Sequence, residues 1–206
     1  MRDLCKLIRL TIALILAVAL GEAQDKSKQQ NQSAATVTEG ETLWRGRFAH
    51  CDYGFYVLLP AGWIGHGDIP PNPNHGFLIG LPAVGTTQPV TSDDERFVFV
   101  LAEYNSTEAH SLGAVVDYHL DVTSRHKQGF RVIERRPARL NRRAAIQYKV
   151  EYDSPKGRVV EEEVIALRSG IVYEIGIRTT EANYASDKTQ FKKILAGFRF
   201  WTVHYC

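Results

Sequence analysis

The sequence contains little of what marks several common classes of protein. Three cysteines and one methionine occur in 206 residues, which excludes a cysteine-rich scaffold held by many disulfides. Basic and acidic residues nearly balance at 25 and 23, so the formal net charge of +2 provides no strong attraction to nucleic acid. The sequence also lacks a Gly-x-Ser-x-Gly nucleophile motif, a glycine-rich phosphate loop and paired Cys-x-x-Cys zinc motifs. We therefore expect neither nucleic-acid binding nor catalysis.

Long apolar runs are also scarce, and the one that stands out lies near the start. Residues 10–20 are uncharged and apolar, basic residues precede them, and the small residues Gly21 and Ala23 follow. This pattern is typical of a secretory signal peptide, so residues 1–23 are predicted to be removed and the mature protein to be periplasmic or secreted. The run is shorter than the roughly 20 residues of a membrane-spanning helix, so the mature form is not expected to span a membrane.

The mature chain is expected to contain a tether and one domain. Residues 24–42 are polar, rich in Gln and Ser and without periodicity, which predicts a disordered tether. Residues 43–206 have the length of a single domain. Cys51 and Cys206 remain after cleavage, and an even pair in an oxidising compartment predicts a disulfide. A free or intermolecular thiol is the alternative, because Cys206 is the last residue.

Alternating apolar and polar residues dominate this domain and predict β-strands. Candidate strands lie at residues 43–50, 53–59, 76–81, 96–104, 130–134, 144–152, 158–167, 171–177 and 198–206. Helical periodicity predicts one helix that residues 105–107 cap and Gly129 ends, and a second helix at residues 185–195. Short turns join the later strands, which favours antiparallel pairing. The fold class is therefore α+β, with a largely antiparallel sheet of about six or more strands flanked by helices.

One corner of the chain resembles a known family. In residues 54–63, GFYVLLPAGW, a strand runs into a Pro-x-Gly-Trp corner, and the later segments IVYEIGIRT and ILAGFRF follow in the matching order. These segments resemble the PsbP-like family, which includes PsbP and DcrB-type domains, over roughly residues 43–202. Asn141 stands where the family usually has glycine, and Asn also tolerates a left-handed backbone. The resemblance implies an α/β sandwich and roles in protein binding, assembly or metal binding.

Two sets of histidines are candidate metal ligands. His66, Asp68 and His75 lie in a Gly/Pro-rich segment, and neutral imidazole and carboxylate are suitable ligands for zinc or another divalent ion. An exposed polar loop without metal is the alternative interpretation. On the first predicted helix, His119 and His126 lie seven residues apart on one side. A packed histidine with an exposed neighbour near the helix end is the alternative interpretation, and it is the commoner arrangement.

A dense group of arginines precedes a run of three glutamates. The arginines are Arg135, Arg136, Arg139, Arg142 and Arg143, and the glutamates are Glu161, Glu162 and Glu163. One interpretation pairs the two groups across neighbouring strands, since facing opposite charges stabilise a sheet modestly. The other makes the arginines a docking patch for an acidic protein.

These observations predict an exported, non-catalytic binding or assembly-assisting protein whose partner is another protein. The adjacent His50 and Cys51 do not suggest a catalytic pair, because neighbouring residues of a strand point to opposite faces. The alternative function is a metal-binding or metal-dependent protein that uses residues 64–75. No other cofactor is expected.

Overall fold

More than half of the residues that the structure describes lie in β-strands, as the alternating pattern predicted. The computed structural model describes residues 43–67, 75–84, 96–107 and 109–201; the predicted signal peptide and tether lie outside these residues. The strands are β1 (Leu43–Trp44), β2 (Arg47–His50), β3 (Phe55–Leu58), β4 (Gly65–Gly67), β5 (Gly76–Gly80), β6 (Phe97–Tyr104), β7 (Arg131–Leu140), β8 (Arg143–Ser154), β9 (Gly157–Arg168), β10 (Ile171–Thr180) and β11 (Phe198–Phe200). The helices of the described residues are α1 (Leu112–His126) and α2 (Tyr184–Gly197).

The strands form one large sheet and one small sheet. The large sheet has eight strands in the order β1-β4-β5-β6-β10-β9-β8-β7, and the small sheet has the order β11-β3-β2. Every pairing is antiparallel. The fold is therefore a sheet-dominated α+β fold with a large antiparallel sheet, as predicted. The expected flanking by helices is not borne out, because the described residues contain only two α-helices.

Strand β10 is covered on both faces, which positions the sites described below. Ile175 and Ile177 belong to the main core, where Phe191 of α2 is also buried. Val172 belongs to a second core, where Val115 of α1 is buried. Because successive side chains of a strand point to opposite faces, odd-numbered residues of β10 face the main core and even-numbered residues face the core under α1.

The Pro-x-Gly-Trp corner ends β3 and buries its tryptophan. Pro60 follows the strand, and Gly62 adopts a left-handed conformation with φ of 80° that favours glycine. Trp63 is 4% exposed and forms an isolated bridge with Val84. The corner thus turns the chain out of the small sheet and inserts an aromatic ring into the core.

The arginines lie in the β7–β8 hairpin, whereas the sequence had suggested an irregular connection after a short strand. Asn141 and Arg142 both have positive φ values, 43° and 68°, so the two strands are joined by a tight turn. This confirms that Asn accepts the left-handed backbone here. The arginines were expected in a connection, but β7 extends from Arg131 to Leu140 and forms the sheet edge, so they line a hairpin.

The first helix begins later than predicted. Ser111 caps α1, because its hydroxyl oxygen accepts a hydrogen bond from the Ala114 amide at 3.2 Å. Asn105 and Thr107 bond to each other instead, with 2.7 Å between their side-chain oxygens. Neither described helix is long and apolar enough to cross a membrane.

Candidate functional site

The end of the β7–β8 hairpin carries three arginines without an acidic partner. Arg139 donates to the Arg142 carbonyl at 3.0 Å, which holds its guanidinium over the turn. Arg142 and Arg143 are exposed, and within the described chain no carboxylate forms an ion pair with any of the three. We call Arg139, Arg142 and Arg143 the hairpin tip. It carries three exposed positive charges at one end of the hairpin.

The other two arginines of the predicted patch are engaged locally. Arg135 pairs with Asp117 and also donates to the Gly113 carbonyl at 3.2 Å, so it ties the edge strand to α1. Arg136 pairs with Glu134 at 3.2 Å. The predicted patch therefore divides into two structural arginines and three at the tip.

The predicted pairing of these arginines with the three glutamates of β9 is wrong. Glu161 pairs with Arg178 at 3.0 Å, and Glu162 pairs with Lys188 at 2.9 Å. All three glutamates are buried. The glutamates face the helices and the middle strands, which separates them from the arginines at the sheet edge.

Glu161 and Glu163 form a buried carboxylate pair on the α1 side of the sheet. Glu161 accepts a hydrogen bond from the Tyr152 hydroxyl at 2.8 Å. Burial by itself would raise the pKa of Glu161, but the positive charge of Arg178 and the hydrogen bonds to this carboxylate together outweigh burial, so the pKa is lowered. Burial and the nearby carboxylates of Glu161 and Glu174 raise the pKa of Glu163 well above its usual range. Arg178 thus favours the ionised form of Glu161, whereas burial and the neighbouring carboxylates favour the protonated form of Glu163.

A third group of polar side chains lies where α1 crosses β6 and β10. Ligating atoms of Glu103, His119 and Glu174 all lie within 4.8 Å of one another. His119 Nδ1 is 3.6 Å from a carboxylate oxygen of Glu174. Burial lowers the pKa of His119, while burial and the Glu103 and Glu161 carboxylates raise the pKa of Glu174 to about 8. This triad brings together one imidazole and two carboxylates.

The sequence identified only one member of the triad. His119 was considered together with His126, but its neighbours are strand residues from distant parts of the chain. Glu174 interrupts the apolar strand IVYEIGIRT, and this interruption was the one available signal. His126 is exposed near the end of α1.

The described residues do not bring the predicted ligands His66 and His75 together. His66 lies opposite Leu78 in the β4–β5 pairing and is 4% exposed. The His75 ring lies beside Tyr53, with 3.5 Å between its Nε2 atom and the Tyr53 hydroxyl. Tyr53 belongs to the main core, whereas Leu78, the neighbour of His66, belongs to a different core on the other face of the sheet. The two imidazoles therefore project from opposite faces. Asp68 lies outside the described residues, so the predicted set remains a prediction.

A pocket of about 240 Å³ lies beside the small sheet. His50, Cys51 and Asp52 line it together with Trp44 and Phe48. Cys51 is exposed in the turn after β2, whereas Cys206 lies outside the described residues. The predicted disulfide between them therefore stays a prediction.

Comparison with known proteins identifies the fold. No family model and no curated protein matches the sequence. Among solved structures, CyanoP, the PsbP of the cyanobacterium Synechocystis, matches with a TM-score of 0.53 at 13% identity, covering 78% of this chain and 93% of CyanoP. LpqN of Mycobacterium tuberculosis, which is involved in cell envelope biogenesis, gives 0.51 at 14% identity, covering 78% and 92%.

A third solved structure has the same arrangement. The Ran-binding protein Mog1p of Saccharomyces cerevisiae matches with a TM-score of 0.50 at 12% identity, covering 77% of this chain and 96% of Mog1p. At such low sequence identity, these matches establish a shared backbone fold and nothing further. The chain therefore has a PsbP-like fold, as the Pro-x-Gly-Trp corner and the order of its elements predicted.

Proposed function

We propose that this protein is an exported, non-catalytic binding or assembly-assisting protein that docks an acidic segment of another protein at its hairpin tip. The observation that carries the proposal is the absence of any acidic partner for Arg139, Arg142 and Arg143 in the described chain. Guanidinium groups bind carboxylates through two parallel hydrogen bonds, so a cluster of them favours an acidic peptide.

The edge strand supports this surface. All ten residues of β7 except Ala138 and Leu140 are exposed, and the strand has a neighbour on one side only. Pro137 and the irregular register between Val132 and Glu134 limit how far a further strand could pair along it. Recognition at this edge therefore depends on side chains at the tip more than on added backbone pairing.

The fold gives further support. Mog1p is a Ran-binding protein, so one protein with this backbone arrangement acts through a protein partner. The predicted signal peptide adds an exported location, and the described residues contain no nucleophile motif that would suggest catalysis. Metal binding through His66, Asp68 and His75 remains the alternative function, to be tested by metal content of the His66→Gln protein.

The experiment uses an oligoglutamate peptide as the probe and backbone NMR of the mature protein as the readout. We expect chemical-shift changes centred on residues 139–143 and loss of binding as salt rises, because exposed charges are screened. The variant Arg142→Glu/Arg143→Glu should abolish these changes. The matched control, Lys156→Glu/Lys192→Glu, alters the net charge equally at exposed positions elsewhere and should retain them. Equal loss in both variants, or shifts spread over the whole surface, would reject the hairpin tip as the docking site.

A further inference from the structure

The triad of Glu103, His119 and Glu174 joins three elements of the fold. Glu103 lies on β6 and Glu174 on β10, and the register places Glu103 opposite Val172, two residues before Glu174. Both glutamates therefore project from the face of the sheet that α1 covers. His119 follows Val115 and Val116 by four and three residues on α1, so it lies on the same side of the helix as these buried valines.

The distance between His119 and Glu174 suits two ligands of one ion better than a hydrogen bond. The 3.6 Å between His119 Nδ1 and Glu174 exceeds the usual hydrogen-bond length of roughly 2.7–3.2 Å. Two ligand atoms each about 2.1 Å from a tetrahedral zinc ion are roughly 3.4 Å apart. No hydrogen bond to the His119 ring is present among the described residues.

The two carboxyl groups of the triad also lack a lysine or arginine partner among the described residues. Glu103 and Glu174 form no ion pair with a lysine or arginine in the part of the chain that the structure describes, although the Glu174 side chain is only 14% exposed. Arg178, which lies on the same face of β10, is bonded to Glu161. A divalent cation would neutralise two carboxylates that the fold places side by side.

We propose that Glu103, His119 and Glu174 bind a divalent metal ion, with zinc the best match to their donor atoms. One imidazole and two carboxylates provide three protein ligands, and water completes the coordination because each side chain remains partly open to solvent. The ion fastens α1 to β6 and β10. This site is distinct from the hairpin tip and from residues 64–75, so it goes beyond the proposed function.

The test measures zinc binding by calorimetry on the mature protein after chelator treatment and buffer exchange. The wild type should bind one equivalent, and Glu103→Gln and Glu174→Gln should each weaken binding at least about tenfold. Both substitutions keep the side-chain size. Cobalt binding read from its visible absorption should be lost in His119→Gln. The matched control is His126→Gln, an exposed imidazole on the same helix that should leave binding unchanged.

Each outcome decides the proposal. Stoichiometric binding that depends on both glutamates and not on His126 supports it, as does a rise in melting temperature with zinc that Glu174→Gln abolishes. Absence of zinc binding to the wild type overturns it. Binding that survives Glu174→Gln but fails in His66→Gln also overturns it and assigns the ion to residues 64–75. Circular dichroism of every variant verifies the fold.

Discussion

Arg96 and Asp187 form a two-point ion pair between the start of β6 and the first turn of α2. Arg96 Nε donates to one carboxylate oxygen of Asp187 at 3.0 Å, and a terminal nitrogen donates to the other at 2.8 Å. The Asp187 side chain is 1% exposed, and it also accepts a hydrogen bond from the Thr179 hydroxyl at 2.6 Å. The pair therefore fixes the position of α2 against the sheet.

Asp187→Asn should lower the free energy of unfolding by about 3 kcal/mol, because it removes a buried charged acceptor that satisfies three donors, two on Arg96 and one on Thr179. Chemical denaturation measures the loss. The control is Asp121→Asn, which breaks an exposed pair with Arg125 one helical turn away and should change stability by less than about 0.5 kcal/mol. Similar losses in the two variants would contradict a special role for Asp187.

Stability should decrease as the pH rises, because of Glu163. Glu161, Tyr148, Glu174 and Arg178 face this carboxyl from β8, β9 and β10, and burial with the nearby carboxylates raises its pKa in the folded state. The unfolded chain releases the proton above about pH 4.5 while the folded protein retains it. One such group therefore lowers the free energy of unfolding by up to about 1.4 kcal/mol per pH unit.

Glu163→Gln should flatten this dependence, since glutamine does not titrate. Urea denaturation between about pH 5 and about pH 8, in buffer containing chelator, measures the slope. Glu181→Gln, an exposed carboxyl, is the control and should leave the slope unchanged. A Glu163→Gln protein with the slope of the wild type would show that this carboxyl is ionised in the folded state.

Gly76→Ala should destabilise the β5–β6 pairing. A Cβ atom at Gly76 would lie 1.8 Å from the Val100 carbonyl oxygen, a backbone atom that cannot move without breaking the sheet. We expect a loss of about 3 kcal/mol in thermal or urea denaturation. Gly113→Ala is the matched control, because nothing lies within 4 Å of its Cβ position in α1; it should gain up to about 1 kcal/mol. A tolerated Gly76→Ala would mean that β5 lies farther from β6.

Tyr173→Phe should lower the free energy of unfolding, because it removes a hydrogen bond that connects the two sheets. The buried Tyr173 hydroxyl on β10 donates to the Tyr53 carbonyl at 2.6 Å, near the start of β3. Removing the hydroxyl leaves that carbonyl without this donor and should cost about 1–3 kcal/mol in urea denaturation. Tyr118→Phe on α1, where the side chain is exposed, should have little effect. Equal effects would indicate that water replaces the lost donor.

The sequence was most informative for features that a short stretch of neighbouring residues determines. Alternation over β8, β9 and β10 predicted the antiparallel strands, because one pattern of side chains must face the core. The turn at Asn141 was also predictable, since few residue types accept its backbone conformation. Such features depend on neighbouring residues only.

The polar sites were less predictable because they depend on register between distant strands. Three consecutive glutamates suggested pairs with the arginines of a neighbouring strand, yet Glu161 and Glu163 are buried on a face that a helix contacts. His119 could be placed on a helical face, but nothing local indicated that Glu103 and Glu174 meet there. Apolar periodicity locates a strand and does not identify its partner.

The two described helices are attached to the sheet by different contacts. Each buries two apolar residues, but Phe191 and Ile194 of α2 are larger than Val115 and Val116 of α1, and α2 also holds Asp187 in the ion pair with Arg96. Local opening requires less free energy where smaller apolar groups leave the core and no buried ion pair is broken. The amide hydrogens of α1 should therefore exchange with solvent well before those of α2, and occupancy of the triad by an ion would set the rate at which α1 detaches.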